Sequence, residues 1–167
     1  MPRFPVLLLC MAVLGTTHVF ASQTNNESEH SRHMAEVNRH GAEAMGFDQN
    51  KTVHHFRLLK NGGTVSVQAR DAKDAASIGQ IQHHLRMQAG EFARGNFAAP
   101  EHTHGQIPPG VPAMQQLKGK IQYRFRRTAE GGTLIISSSD AAAVEAIHDF
   151  LKFQIQDHQT EDPVAVQ

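Results

Sequence analysis

From residue 52 onward the chain switches twice between two hydrophobic periods. Over 52–59 apolar and polar positions alternate, with His54, Phe56 and Leu58 on one face and His55 and Arg57 on the other, the two-residue repeat of a half-buried strand. Asn61-Gly62-Gly63 can supply the positive φ angles of a tight hairpin, after which Val65 and Val67 resume the alternation. The period then lengthens. Asp71 is a candidate N-cap for a helix over about 72–94, whose stripe of Ile78, Ile81, Leu85, Ala89 and Phe92 has helical spacing. The same succession returns with Ile121, Tyr123 and Phe125, a Gly131-Gly132 turn, and Leu134 and Ile136. Asp140 then caps a helix to about residue 158, with Val144, Ile147, Leu151 and Ile155 inward.

The recurrence extends to individual residues. His54-His55-Phe56-Arg57, Gly62-Gly63-Thr64-Val65 and Asp71 match Tyr123-Arg124-Phe125-Arg126, Gly131-Gly132-Thr133-Leu134 and Asp140 at a constant offset of 69, and 81–88 matches 147–154 after a three-residue shortening. This reads as an internal duplication of a β-β-α unit. A two-stranded unit is marginal alone, so the predicted fold is α+β: a four-stranded antiparallel sheet from both units, with both helices on one face. Between the units, 96–110 contains Pro100, Pro108, Pro109 and Gly110 and is expected to be a loop, followed by a short helix over 111–117. An N-terminal helix is expected over 27–45, within a mobile segment 22–46 that precedes a single domain, 47–159, and a mobile tail, 160–167. Met87 and Phe153 lie opposite the buried stripes and Phe150 flanks its own, which points to cover by the N-terminal helix or by a second subunit of a homodimer.

Composition adds a compartment. Residues 1–21 carry Arg3, an apolar stretch from Val6 to Leu14, and Val19 and Ala21 at the small-residue positions of a signal-peptide cleavage site after Ala21. The apolar stretch falls well short of the roughly 20 residues that span a bilayer, so no membrane span is expected in the mature chain. A lipoprotein anchored through Cys10 would have almost no signal sequence before it. Cleavage leaves 15 Lys and Arg, 16 Asp and Glu, 11 His and no Cys. Disulfides, thiolate metal sites and cysteine nucleophiles are thereby excluded. The balanced charge argues against a general nucleic-acid binder.

Histidine is the outlier, and neutral imidazole is the commonest nitrogen ligand for zinc and copper in a protein without thiols. His102 and His104 form an H-x-H pair in the proline-bearing segment; extended backbone would put both rings on one side, about 7 Å apart at Cα. His54 shares the inward face of its strand, and His84 and His148 flank the buried stripes of the two long helices. These three are candidates to complete the shell, with His55 as a supporting neighbour. His30, His33 and His40 share an arc of the N-terminal helix, where a polar stripe is the plainer reading, and Met34 and Met45 are soft donors suited to copper(I). Catalytic signals are weaker. Ser137-Ser138-Ser139 beside Asp140 reads as helix capping, and no G-x-S-x-G, H-E-x-x-H or phosphate-binding glycine loop is present.

Met45-Gly46-Phe47-Asp48, Thr52-Val53-His54-His55-Phe56, Pro108-Pro109-Gly110-Val111-Pro112 and His148-Asp149-Phe150-Leu151-Lys152-Phe153-Gln154-Ile155 together resemble a family of small exported Gram-negative bacterial proteins to which no activity is attached. The resemblance covers about residue 38 to the end and implies a periplasmic setting and one compact domain. The chain therefore reads as a periplasmic copper- or zinc-binding carrier, buffer or sensor. The alternatives are an exported structural or interaction module docking an envelope partner, and a histidine-dependent enzyme.

Overall fold

The computed structural model describes the backbone of residues 18–167 and the side chains from Glu29 onward, His30 excepted. The expected leader, 1–21, falls almost wholly outside these residues. In chain order the elements are α1 (His18–Met45), β1 (Thr52–Leu59), β2 (Gly62–Ala69), α2 (Ala75–Ala93), α3 (Ala98–His104), α4 (Val111–Gln116), β3 (Ile121–Arg127), β4 (Gly131–Ser138) and α5 (Ala141–Asp157). Two compact units divide the chain at residue 33, and the second, 34–167, holds the end of α1 and every other element. Among the described residues, no helix is long and apolar enough to cross a membrane.

The four strands form one antiparallel sheet in the order β1-β2-β4-β3, the α+β architecture that the repeat predicts. Val65 pairs with Leu134, its own counterpart in the second unit, so the inner strands meet around a local two-fold axis between these residues. The helices then cross over. α2 lies mainly on β3 and β4 and α5 mainly on β1 and β2, so each helix covers the other unit's hairpin. This explains why a single unit is insufficient: its own helix packs on only one of its two strands, and less than on the other unit's hairpin. Phe56, Leu58, Val67, Leu134 and Ile136 of the sheet are buried with Ile81 and Leu85 of α2 and Ile147 and Leu151 of α5. Burial of these side chains is the main stabilising term.

Several local expectations are corrected. Asp74, not Asp71, caps α2 by accepting from the Ser77 N–H, while Asp71 accepts from the Lys73 N–H in the turn before it. The segment 96–110 is not all loop, because α3 forms within it. Pro100 sits in the first turn of α3, where its missing N–H would have had no helical acceptor. Asn96 Oδ1 accepts from the Ala98 N–H and fixes where the helix begins. Phe150 does not face outward; it is buried and meets Phe92 and Phe97 edge-on, both at 6.1 Å. Phe153 is half-buried against His104, whereas Met87 is exposed. The C-terminal tail is tied down rather than loose: the Gln167 N–H donates to Leu58 O at 2.9 Å and Asp162 accepts from the Phe56 N–H at 2.9 Å. These bonds occupy part of the outer edge of β1.

Gly110 gives a direct test of this packing. It precedes α4 with φ of +83°, and a Cβ there would stand 2.1 Å from the Ala146 carbonyl oxygen of α5. Gly110→Ala is expected to lower stability by about 2–4 kcal/mol through backbone strain and collision. Gly105 also has positive φ, but its Cβ would meet nothing within 4 Å. Gly105→Ala should therefore lose only about 1 kcal/mol, the cost of the left-handed backbone. Urea midpoints of the two variants measure the difference.

Candidate functional site

His54 projects from the inner face of β1, where strand alternation places it beside Phe56. Its ring stacks between Phe47 at 6.3 Å and Phe56 at 6.4 Å, and it lies parallel to the His158 ring at 5.3 Å. His158 is the C-cap of α5, three residues beyond Ile155, and so continues the helix's inward stripe. His104, the last residue of α3, meets His158 edge-on at 5.1 Å. His84 comes from α2 and packs edge-on against Phe47 at 5.6 Å. Four imidazoles from four elements thus line one cavity of about 70 Å³, together with Met45 and apolar side chains such as Val65, Leu85 and Leu134.

Each ring sits in a different electrical setting. His104 Nδ1 is 2.5 Å from Asp157 Oδ2, and its Nε2 is 3.0 Å from Gln154 Oε1. The His104 and Asp157 side chains are only 1% and 10% exposed, so this is a buried pair that fixes the ring's orientation. Asp157 accepts from Nδ1–H, and the Gln154 amide, which carries both an acceptor and donors, meets Nε2. His54, His84 and His158 are held neutral at pH 7. Burial, then the His84 and His55 charges, lowers His54 to about 4. Burial, then His83, lowers His84 to about 4, and burial, then His54 and His104, holds His158 well below the ordinary value. His54 Nε2 is buried with no hydrogen-bond partner among the described residues. In native proteins such an atom calls for a water or an ion.

A second, more polar cleft of about 510 Å³ lies beyond this group and includes Asn38, Gln49, His55, Arg70 and Glu161 in its lining. The two spaces have only His54 and His158 in common. His54 and His158 therefore border both spaces.

The sequence-predicted ligands divide between this site and other places. His54, His84 and His104 reach the cavity. His102 does not, because two residues along a helix turn the side chain by about 200°, where an extended strand would have kept both rings on one side. It is exposed, with Nε2 3.5 Å from Glu43 Oε2 and its ring 5.3 Å from that of His40. His148 is taken up by the fold: its Nε2–H donates to Leu59 O at 2.9 Å and Gly62 O at 3.1 Å, clamping the β1–β2 turn. His55 lies on the outer side of β1 with Nδ1 3.1 Å from Asp162 Oδ1, so it supports no ring in the cavity. His158 and Asp157 are the members that sequence reasoning missed. The continuation of Ile147, Leu151 and Ile155 to residue 158 was the available signal for the first. Asp140 is the N-cap expected of it, accepting from the Ala143 N–H, and Ser138 Oγ accepts from the Asp140 N–H in the turn before the helix.

The residues present fit a metal ion in donor type: neutral imidazoles, an orphaned ring nitrogen and a carboxylate backing one ligand. Among the described residues, no group of three or more His, Cys, Asp or Glu side chains is placed to hold a metal ion. No protein-family model, curated protein or solved structure matches the chain.

Proposed function

We propose that this chain is a periplasmic metal-binding protein that carries or buffers a copper or zinc ion in the inner cavity. His54, His104 and His158 are the principal ligands and His84 the fourth. Asp157 holds His104 in place. The observation that carries this reading is the meeting of rings from four elements around one cavity, one of them with a buried, unpartnered nitrogen. Rotation of the His54 and His158 rings toward a shared ion would satisfy that nitrogen, and the Gln154 amide would yield Nε2 of His104. The polar cleft supplies a path to solvent, and the expected leader segment suits an exported protein. His102 and His148 are not part of the proposed shell.

The test is elemental analysis of untagged protein, followed by metal competition with variants. One ion per chain is expected, with affinity falling about 10–100-fold in His54→Ala or His158→Ala and unchanged in His102→Ala. Binding that survives the first two substitutions and disappears with the third places the ion at the surface pair His40 and His102 instead. Absence of uptake by the intact protein overturns the reading.

One observation favours a second reading, an interaction module. The outer face of the sheet carries a row of Arg57, Thr64, Ile135 and Arg124 beside a row of His55, Ser66, Thr133 and Arg126, in which Thr133 is buried and bonded to Ser66 and the three arginines form a basic surface suited to an acidic envelope partner. Loss of partner capture in Arg57→Ala/Arg124→Ala, with metal content unchanged, distinguishes it.

A further inference from the structure

We infer that the inner cavity selects a soft monovalent ion, Cu(I), over Zn(II), and that Met45 supplies a thioether ligand; the inference rests on the metal-binding reading above. Two observations point the same way. The first is charge. Among the described residues lining the cavity there is no carboxylate, and the one acidic side chain in contact with a lining imidazole is Asp157, behind His104. One positive charge plus the Asp157 carboxylate is a neutral assembly. A divalent ion leaves a net positive charge between apolar walls, which is strongly disfavoured without a second anion. Glu161 does not provide it, because it lines the outer cleft and not the inner cavity.

The second observation is ligand softness. The Met45 side chain lines the same cavity as His54, His84, His104 and His158, and thioether sulfur favours Cu(I) over Zn(II). Its Sδ accepts from Gln49 Nε2 at 3.7 Å, which orients the sulfur and leaves it a further lone pair. Met34, by contrast, lines only the outer cleft.

The experiment uses the mature chain under anaerobic conditions. Cu(I) is titrated against bicinchoninate and Zn(II) against a chromophoric chelator, for the intact protein and for Met45→Leu and Met34→Leu. One equivalent of Cu(I) should bind at least about 10-fold more tightly than Zn(II), and Met45→Leu should weaken Cu(I) about 10-fold while leaving Zn(II) unmoved. Met34→Leu should change neither. A second readout needs no variant: in methyl-labelled intact protein, Cu(I) should shift the Met45 methyl resonance and leave that of Met114, which is buried in the core, in place. Zinc binding as tight as or tighter than Cu(I), or an unmoved Met45 methyl at saturation, overturns the inference and leaves the metal-binding reading standing. Failure of both ions to bind overturns both.

Discussion

His104→Ala is expected to lower folding stability by about 3–5 kcal/mol, the sum of leaving a buried acceptor without its hydrogen-bond partner and of the void left by the ring. The carboxylate of Asp157 is 10% exposed and would lose the ring nitrogen 2.5 Å away, and the Gln154 amide would lose its partner as well. Removing the imidazole also opens a void against Phe153 and His158, whose rings lie 5.0 and 5.1 Å from it. For a domain of this size that loss corresponds to a fall in Tm of about 10–20 °C. Asp157→Asn keeps an acceptor for Nδ1–H and should lose less than half as much. His102→Ala, at an exposed position, should stay within about 0.5 kcal/mol of the parent. Calorimetry of the three variants without added metal is the check. A cost below about 1 kcal/mol for His104→Ala would mean that water reaches the pair and that it does not organise the site.

Acid should unfold the metal-free protein, beginning well above the range in which carboxylates titrate. His54 and His84 have folded-state values of about 4, and His158 is also held low, in each case first by burial. An unfolded histidine titrates near 6.5, so between these values the unfolded chain binds more protons and stability rises with pH. The contribution of the three rings is therefore complete above about pH 6.5 and lost progressively as the pH falls toward 4, on the order of 3 kcal/mol for His54 and for His84. Three neighbouring rings give a slope steeper than the roughly 1.4 kcal/mol per pH unit of one group. The helix-capping carboxylates add a separate, lower window. Lysine 120 and the Ala143 N–H lower Asp140, and the Ser77 N–H and hydroxyl lower Asp74, so their contributions are present above the ordinary carboxylate range and fall only at more acid pH. Urea midpoints between pH 7 and 4 measure both windows. His54→Phe, which suits a position beside Phe47 and Phe56, should flatten the upper window. A midpoint independent of pH from 7 to 5 would contradict this description of the rings.

What the sequence disclosed and what it concealed follow one physical distinction. Periodicity reports which face of an element is apolar, and that was enough for the duplicated strands, the two long helices and the inward direction of His54. The exchange of helices between hairpins follows from tertiary packing, which a local repeat does not encode. Pro100 made 98–104 look like loop because its effect depends on where it falls in a turn, and in a first turn it is harmless. That one difference separated His102 from His104, whose pairing had been the main reason to expect a site there. His148 and His84 occupied similar flanks of their helices, yet one meets the carbonyls of a hairpin turn and the other a cavity. Asp157 carried no local signal at all, since its importance lies in a contact made 53 residues away.

Anomalous diffraction from crystals of the mature chain grown with one equivalent of Cu(I), and in parallel with Zn(II), locates the ion without reference to activity. A single peak between His54 and His158, with the His104 ring still backed by Asp157, is the predicted result for whichever ion binds. A peak between His40 and His102, or ordered water alone beside His54 Nε2 at full loading, would contradict it.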